Sequence, residues 1–382
     1  MSWMRRALLA VIAFAVVAPA KDARPAERPT PTPADTTFDT TAPLTFTTFR
    51  YVDPTVGLEA FRLLLPKGWR AEGRIEWSAN PALPAQSHFR FFNPGGPEQF
   101  EIFPTQSFFW TDNALFLGTN PPGSLRFGTR VAAPLPLEDA FSRVLLPQFR
   151  PGLHDVRVLE RAPLPELGRL ALGPPAPGVD ARAEAGKLRI EYSSGGQRLE
   201  EEMYAAVTNF VTPMPPSMTA PPYFIDYWYI DYAFAFRARR GELETNAKLF
   251  QTMAFSLAVN PRWFAKVVNT REQLAQLAIR GIEAVGRAGQ IAAQAGAELR
   301  ADQQAAWEQR QAAKDRAAAD FSDYVLGVER YTDPHGGNEV QLPAGYGHAW
   351  ANDLGEYIVT GSPSFNPNVG TNQHWEPMPV AK

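Results

Sequence analysis

Between Pro222 and Arg237 the chain reads Pro-Tyr-Phe-Ile-Asp-Tyr-Trp-Tyr-Ile-Asp-Tyr-Ala-Phe-Ala-Phe-Arg, and no other stretch is as rich in large apolar side chains. Read as a strand, it points successive side chains to opposite faces. One face carries Phe224, Asp226, Trp228, Ile230, Tyr232, Phe234 and Phe236. The other carries Tyr223, Ile225, Tyr227, Tyr229, Asp231, Ala233 and Ala235. Both are largely apolar, which predicts an inner strand covered on two sides. Each large aromatic brings about 150–250 Å² to be buried, so the main domain is expected to assemble around this strand.

The chain has 382 residues, enough for two domains and linkers, and its 45% hydrophobic content supports a real core. A formal charge of −3 without a basic run gives no electrostatic footprint for nucleic acid. Cysteine is absent, which excludes disulfides, thiolate nucleophiles, Cys-ligated zinc and lipid attachment through Cys. At the amino terminus, Arg5-Arg6 precede the apolar run Ala7–Ala18, and Ala18-Pro19-Ala20 forms a small-x-small cleavage site. That is the pattern of a signal peptide, and the run is shorter than the ~20 residues a spanning helix needs. Export to the periplasm or the medium is expected, with no stable membrane span after cleavage.

Composition divides the rest. After the signal peptide (1–20), residues 21–43 are a Pro/Thr-rich linker suited to extended chain. An α+β domain is expected over 44–268. Its strand candidates are Phe46–Tyr51, Leu58–Leu65, Arg74–Trp77, His88–Phe92 and Gln99–Phe103, with a second hairpin from Lys187–Tyr192 and Arg198–Val211. Leu137, Phe141, Val144 and Leu145 stand at helical spacing, as do Leu249, Phe250, Met253 and Leu257. A long Ala-rich helix is expected over 269–326, free of proline. Its glycines Gly281, Gly286, Gly289 and Gly296 each cost about 1 kcal/mol against Ala. They predict close backbone contact or a break. The residues 327–382 read as a small β tail.

The usual catalytic patterns are missing. There is no Gly-x-Ser-x-Gly, His-Glu-x-x-His, phosphate-cradling loop or EF-hand. Asp226 and Asp231 lie five apart in the apolar strand, on opposite faces, and are expected to meet an Arg, a backbone donor or a strand end. His335, His348 and His374 fall in the tail near Asp333, Glu339, Asp353 and Glu356, without a metal-ligand spacing. No metal or cofactor is expected.

Two families are resembled. Gly57-Leu-Glu-Ala-Phe-Arg-Leu-Leu-Leu-Pro66-Lys-Gly68-Trp69 resembles the opening of the PsbP family of extrinsic photosystem subunits and relatives. Phe255-Ser256-Leu257 before Asn260-Pro261-Arg262-Trp263 resembles its close. The resemblance brackets about 46–268 and implies an antiparallel sheet with helices on both sides, in proteins that mostly bind or assemble. In the tail, Leu342-Pro343-Ala344-Gly345-Tyr346, Asn352–Val359 and His374-Trp375-Glu376-Pro377 resemble a WW module. This implies that Tyr357 and Trp375 grip a ligand while Tyr346 packs on Pro377. Trp350 joins them as a candidate binding residue.

The expected whole is an α+β protein, a PsbP-like α/β/α sandwich followed by the long helix and a small antiparallel meander. Its expected role is a non-catalytic binding or scaffold protein of the bacterial cell envelope. An envelope protein or a second copy, met through the long helix, would be its partner. The alternative is an envelope glycan or peptide hydrolase with carboxylates in a cleft of the sheet domain.

Overall fold

The computed structural model describes residues 43–126, 128–172, 179–216, 221–283, 328–369, 371 and 373–381. The expected signal segment, the linker up to residue 42 and residues 284–326 of the expected long helix lie outside them.

In chain order the elements are β1 (Leu44–Asp53), β2 (Leu58–Pro66), β3 (Arg70–Trp77), β4 (Ala85–Phe92), β5 (Gln99–Ile102), β6 (Gln106–Thr111), α1 (Ala114–Thr119), β7 (Leu125–Arg126) and β8 (Thr129–Val131). The helical stretch α2 spans 137–149 and is α-helical at Leu137–Ala140, π-helical at Phe141–Leu145 and α-helical again at Leu146–Phe149. Then come β9 (His154–Pro163), α3 (Pro165–Leu172), β10 (Asp180–Ser194), β11 (Gln197–Met214), β12 (Tyr223–Arg239), α4 (Ala247–Phe255), β13 (Ala258–Val259) and α5 (Pro261–Glu283). The tail holds β14 (Val328–Thr332), β15 (Glu339–Pro343), β16 (His348–Asn352), β17 (Glu356–Thr360) and β18 (Trp375–Pro377).

Strand makes up 50% of the structure and helix 19%, and the larger sheet curls into a half-barrel. The expected α/β/α sandwich is overturned. The larger sheet runs β3-β4-β5-β12-β11-β10-β9, and β6 continues the line of β5 along β12. One face is covered by a second sheet, β13-β2-β1-β17-β16-β18, together with α4 and α5. The other, here the inner face, carries α2. The packing is therefore mainly sheet on sheet. The tail strands do not follow as a separate meander: β17 pairs with β1, from Leu44 opposite Val359 to Thr47 opposite Glu356. Among the described residues the expected long helix is represented by α5, as far as Glu283. It starts at Pro261, in the helix-compatible first position, and buries Trp263, Val267 and Arg271.

The aromatic stretch is indeed central. β12 pairs with β11 on one side and with β5 and β6 on the other. Its faces are not the expected ones. Tyr232 sits at φ 47°, and the register with β11 slips between Tyr204 and Ala206, so two residues of β12 oppose one of β11. Such a bulge shifts every later side chain to the opposite face. Trp228 and Ile230 thus share the inner face with Ala233 and Ala235, while Phe234 and Phe236 point outward.

Outside, a row of stacked rings crosses the sheet: Phe91 on Phe100 at 5.8 Å, Phe100 on Phe236 at 5.0 Å and Phe236 on Phe250 of α4 at 5.0 Å. Inside, Ala205, Ala233 and Ala235 leave room for α2, which seats Leu137, Phe141 and Leu145 against Ile190, Met203 and Val207. That seating fixes where the chain emerges after Phe149.

Candidate functional site

The site begins with Leu199-Glu200-Glu201-Glu202-Met203, three carboxylates in a row within buried strand β11. Strand alternation sends Glu200 and Glu202 outward and Glu201 inward. Outward, Glu200 meets Arg189 at 2.7 Å, and Glu202 accepts from Lys187 at 3.0 Å and from the Tyr204 hydroxyl at 2.7 Å. Inward, Glu201 is 0% exposed and depends on two donors. The Tyr192 hydroxyl donates to it at 2.6 Å, and Arg150 Nε lies 3.0 Å from both of its oxygens.

Arg150 reaches this point because it is the C-cap of α2, with its backbone N–H on Leu146 O. Its Nη1 donates back to the Phe149 carbonyl at 2.7 Å, satisfying an orphan carbonyl of the helix end. Its Nη2 bonds Glu101 of β5 at 2.8 Å. Glu101 in turn has His88 Nε2 of β4 at 2.8 Å and the Gln99 amide at 2.7 Å. Gln99 passes the network on to Arg237 of β12, whose Nη2 donates to its carbonyl at 2.9 Å. Thus Tyr192, Glu201, Arg150, Glu101, Gln99 and Arg237 form one continuous chain across the inner face.

A cleft of about 450 Å³ opens onto this network, lined among others by Glu72, His88, Arg90, Phe149, Leu153 and Arg237. Its size falls in the range of small-molecule sites, about 300–1,000 Å³. The His88 side chain is 48% exposed at the cleft, whereas Glu101 is 8% exposed behind it. Burial pushes the Glu101 carboxyl up, but the hydrogen bond from His88 and the charge of Arg150 outweigh it and hold it below its usual value. The Tyr192 phenol is pushed up by burial and by the Glu201 charge. Burial works against the Arg150 charge, yet Glu201 and Glu101 raise its pKa and keep it protonated.

These environments limit the chemistry. Acid–base hydrolysis by two carboxylates needs their pKa values pushed apart, one acid staying protonated near neutral pH. Here one guanidinium holds both Glu101 and Glu201, and Glu101 is driven toward the ionised form. His88 is hydrogen-bonded to Glu101, and no hydroxyl or amine is hydrogen-bonded to His88 among the described residues. The arrangement is a charged wall with fixed donors.

The residues singled out in the sequence lie elsewhere. Tyr346, Tyr357 and Trp375 are 8%, 6% and 3% exposed. Tyr346 and Tyr357 belong to the core under the smaller sheet, and the Tyr357 hydroxyl donates to Asp333 at 2.9 Å. Trp350, on β16, is half-buried. Asp226 and Asp231 do face opposite sides of the sheet. Asp226 accepts from Asn209 at 3.0 Å, and Asp231 has Thr208 at 3.4 Å. Burial pushes both carboxyls up, that of Asp231 well above its usual value. Among the described residues no three His, Asp or Glu side chains are grouped to hold a metal, and no helix is long and apolar enough to cross a membrane.

Two signals for the cleft were in the sequence. In His88-Phe89-Arg90-Phe91 and Gln99-Phe100-Glu101-Ile102 polar and apolar residues alternate strictly, the mark of a strand with one polar face. The Glu200–Glu202 run inside an apolar strand requires cations nearby. What no local pattern shows is that Arg150 crosses to both strands. No protein-family model matches this chain, and the search of curated proteins finds no match.

Proposed function

We infer that this chain is an exported, non-catalytic binding protein of the cell envelope that takes a small molecule into the cleft on the inner face of its large sheet. The observation that carries this reading is the Arg150 clamp. It engages two buried carboxylates behind the cleft at once and holds Glu101 below its usual pKa, which suits a rigid recognition wall rather than a proton donor. Export is supported by the basic head, apolar run and Ala18-Pro19-Ala20 site of the first twenty residues. The cleft replaces the tail aromatics as the binding surface, because three of those four rings are core.

The test is a thermal-shift screen of the purified chain against fractionated envelope extract. One fraction is expected to raise the melting temperature and to be recovered chemically unchanged. Its effect should disappear in Leu153→Trp, which fills the cleft. A fraction that is consumed with product formed would favour the hydrolase instead.

A further inference from the structure

The basic side chains of the cleft differ in one respect. His88 lies on Glu101 at 2.8 Å, Arg90 on Glu72 at 2.5 Å, and Arg150 on Glu101 and Glu201. Arg237 has no carboxylate within ion-pair distance among the described residues. It stands directly across from Glu201 in the β11–β12 register, yet both oxygens of Glu201 are turned to Arg150 and Tyr192.

The two acceptors of Arg237 are neutral. Its Nε donates to the Pro97 carbonyl at 3.1 Å and its Nη2 to the Gln99 amide oxygen at 2.9 Å. Gln99 is 2% exposed, and its amide nitrogen is committed to Glu101 at 2.7 Å, so its oxygen is fixed toward Arg237. The guanidinium plane is thereby held in place, and Nη1 has no hydrogen-bond partner among the described residues. A planar fork held in advance loses little freedom on meeting a carboxylate. Glu101, which shares Gln99 with Arg237, is already engaged by His88, Gln99 and Arg150. Phe149, Pro151 and Leu153 supply an apolar surface in the same cleft.

We propose that Arg237 anchors the carboxylate of a small ligand whose apolar body lies against Phe149, Pro151 and Leu153. This deepens the reading of the cleft as a binding site and rests on it. Charge-assisted hydrogen bonds from a preorganised guanidinium give the acid a clear advantage over its amide. His88 and Arg90 border the same space, and each keeps its own carboxylate when the ligand is bound.

The experiment is calorimetric titration of the full chain with phenylacetate, phenylacetamide and benzylphosphonate. The acid is expected to bind about tenfold more tightly than the amide. In Arg237→Gln its affinity should fall to that of the amide, with the amide unchanged. Arg237→Lys, which keeps the charge and loses the fork, should fall between. If Arg237→Gln does not melt cooperatively, Arg237→Lys alone decides, and wild-type preference in it would overturn the anchor. Equal binding of acid and amide, or tighter binding of the phosphonate, overturns the carboxylate assignment and leaves the cleft as a binding site. No binding by any probe overturns the assignment too. If no envelope fraction shifts the melting temperature either, the binding reading falls with it.

Discussion

Arg150 and Glu201, fifty-one positions apart, are joined by a guanidinium whose Nε lies 3.0 Å from each carboxylate oxygen. The same guanidinium crosses β12, which lies between β11 and β5, to reach Glu101 at 2.8 Å. It crosses where β12 presents Ala235, the residue opposite Glu101 in register. A helix end, two strands and the cleft wall therefore depend on one side chain.

Replacing Arg150 by Met should destabilise the fold by about 3–5 kcal/mol, because the buried Glu201 would lose its guanidinium and keep only Tyr192 as donor. Adding Glu101→Gln and Glu201→Gln to Arg150→Met should recover much of that loss. Urea unfolding at neutral pH measures both. Equal stability of Arg150→Met and wild type would show that the clamp is not structural.

Asp53 accepts the indole N–H of Trp77 and that of Trp263 on one oxygen, each at 2.8 Å, and so ties β1 to β3 and α5. Losing either donor leaves the other in place, while losing both leaves a fully buried oxygen unpaired. Trp77→Phe and Trp263→Phe should together cost more than their sum, by about 1–3 kcal/mol. Additive costs in a double-mutant cycle would contradict the shared-acceptor arrangement.

Asp231 governs a pH dependence. Burial, opposed only in part by Thr208, raises its carboxyl well above the usual value, and one oxygen has no hydrogen-bond partner. A raised folded-state pKa means that the neutral acid is favoured in the fold. Its contribution is fully present below the unfolded pKa of about 3.9. It is lost as pH rises from there through the folded value. Asp231→Asn should therefore be more stable than wild type at pH 8, with the gap closing toward pH 4. Melting curves at both pH values check this, and an unchanged gap would contradict it.

Trp375, on β18 of the smaller sheet, is 3% exposed, with its indole N–H lacking a partner among the described residues. Trp375→Ala should cost about 3–5 kcal/mol as a core truncation. A fold as stable as wild type with a lost ligand would instead restore the tail as a gripping surface. Chemical denaturation paired with the thermal-shift screen separates the two outcomes.

How much of this was legible follows from the kind of signal involved. The position of β12 could be read because eight Tyr, Trp and Phe rings in one short stretch have few ways to be buried. Its faces could not be read past Asp231. The bulge falls on Tyr232, and a left-handed residue is foreseen only where Gly or Asn stands. The helix around Phe250 and Met253 was visible as periodicity. The pairing of β1 with β17 was not, since sequence pattern carries no record of which distant edge a strand joins. The same holds at the cleft. Its alternating polar positions on β4 and β5 are local and readable, whereas the reach of Arg150 depends on how α2 seats against Ala205, Ala233 and Ala235.

The central claim is that the ligand surface is the inner-face cleft. Hydrogen exchange of the full chain, with and without the stabilising envelope fraction, tests it most directly. The account predicts added protection in the backbone around Gln99–Ile102 and across residues 149–153, with none specific to β16 and β17. Protection confined to His348–Thr360, with residues 99–102 and 149–153 unchanged, would contradict it.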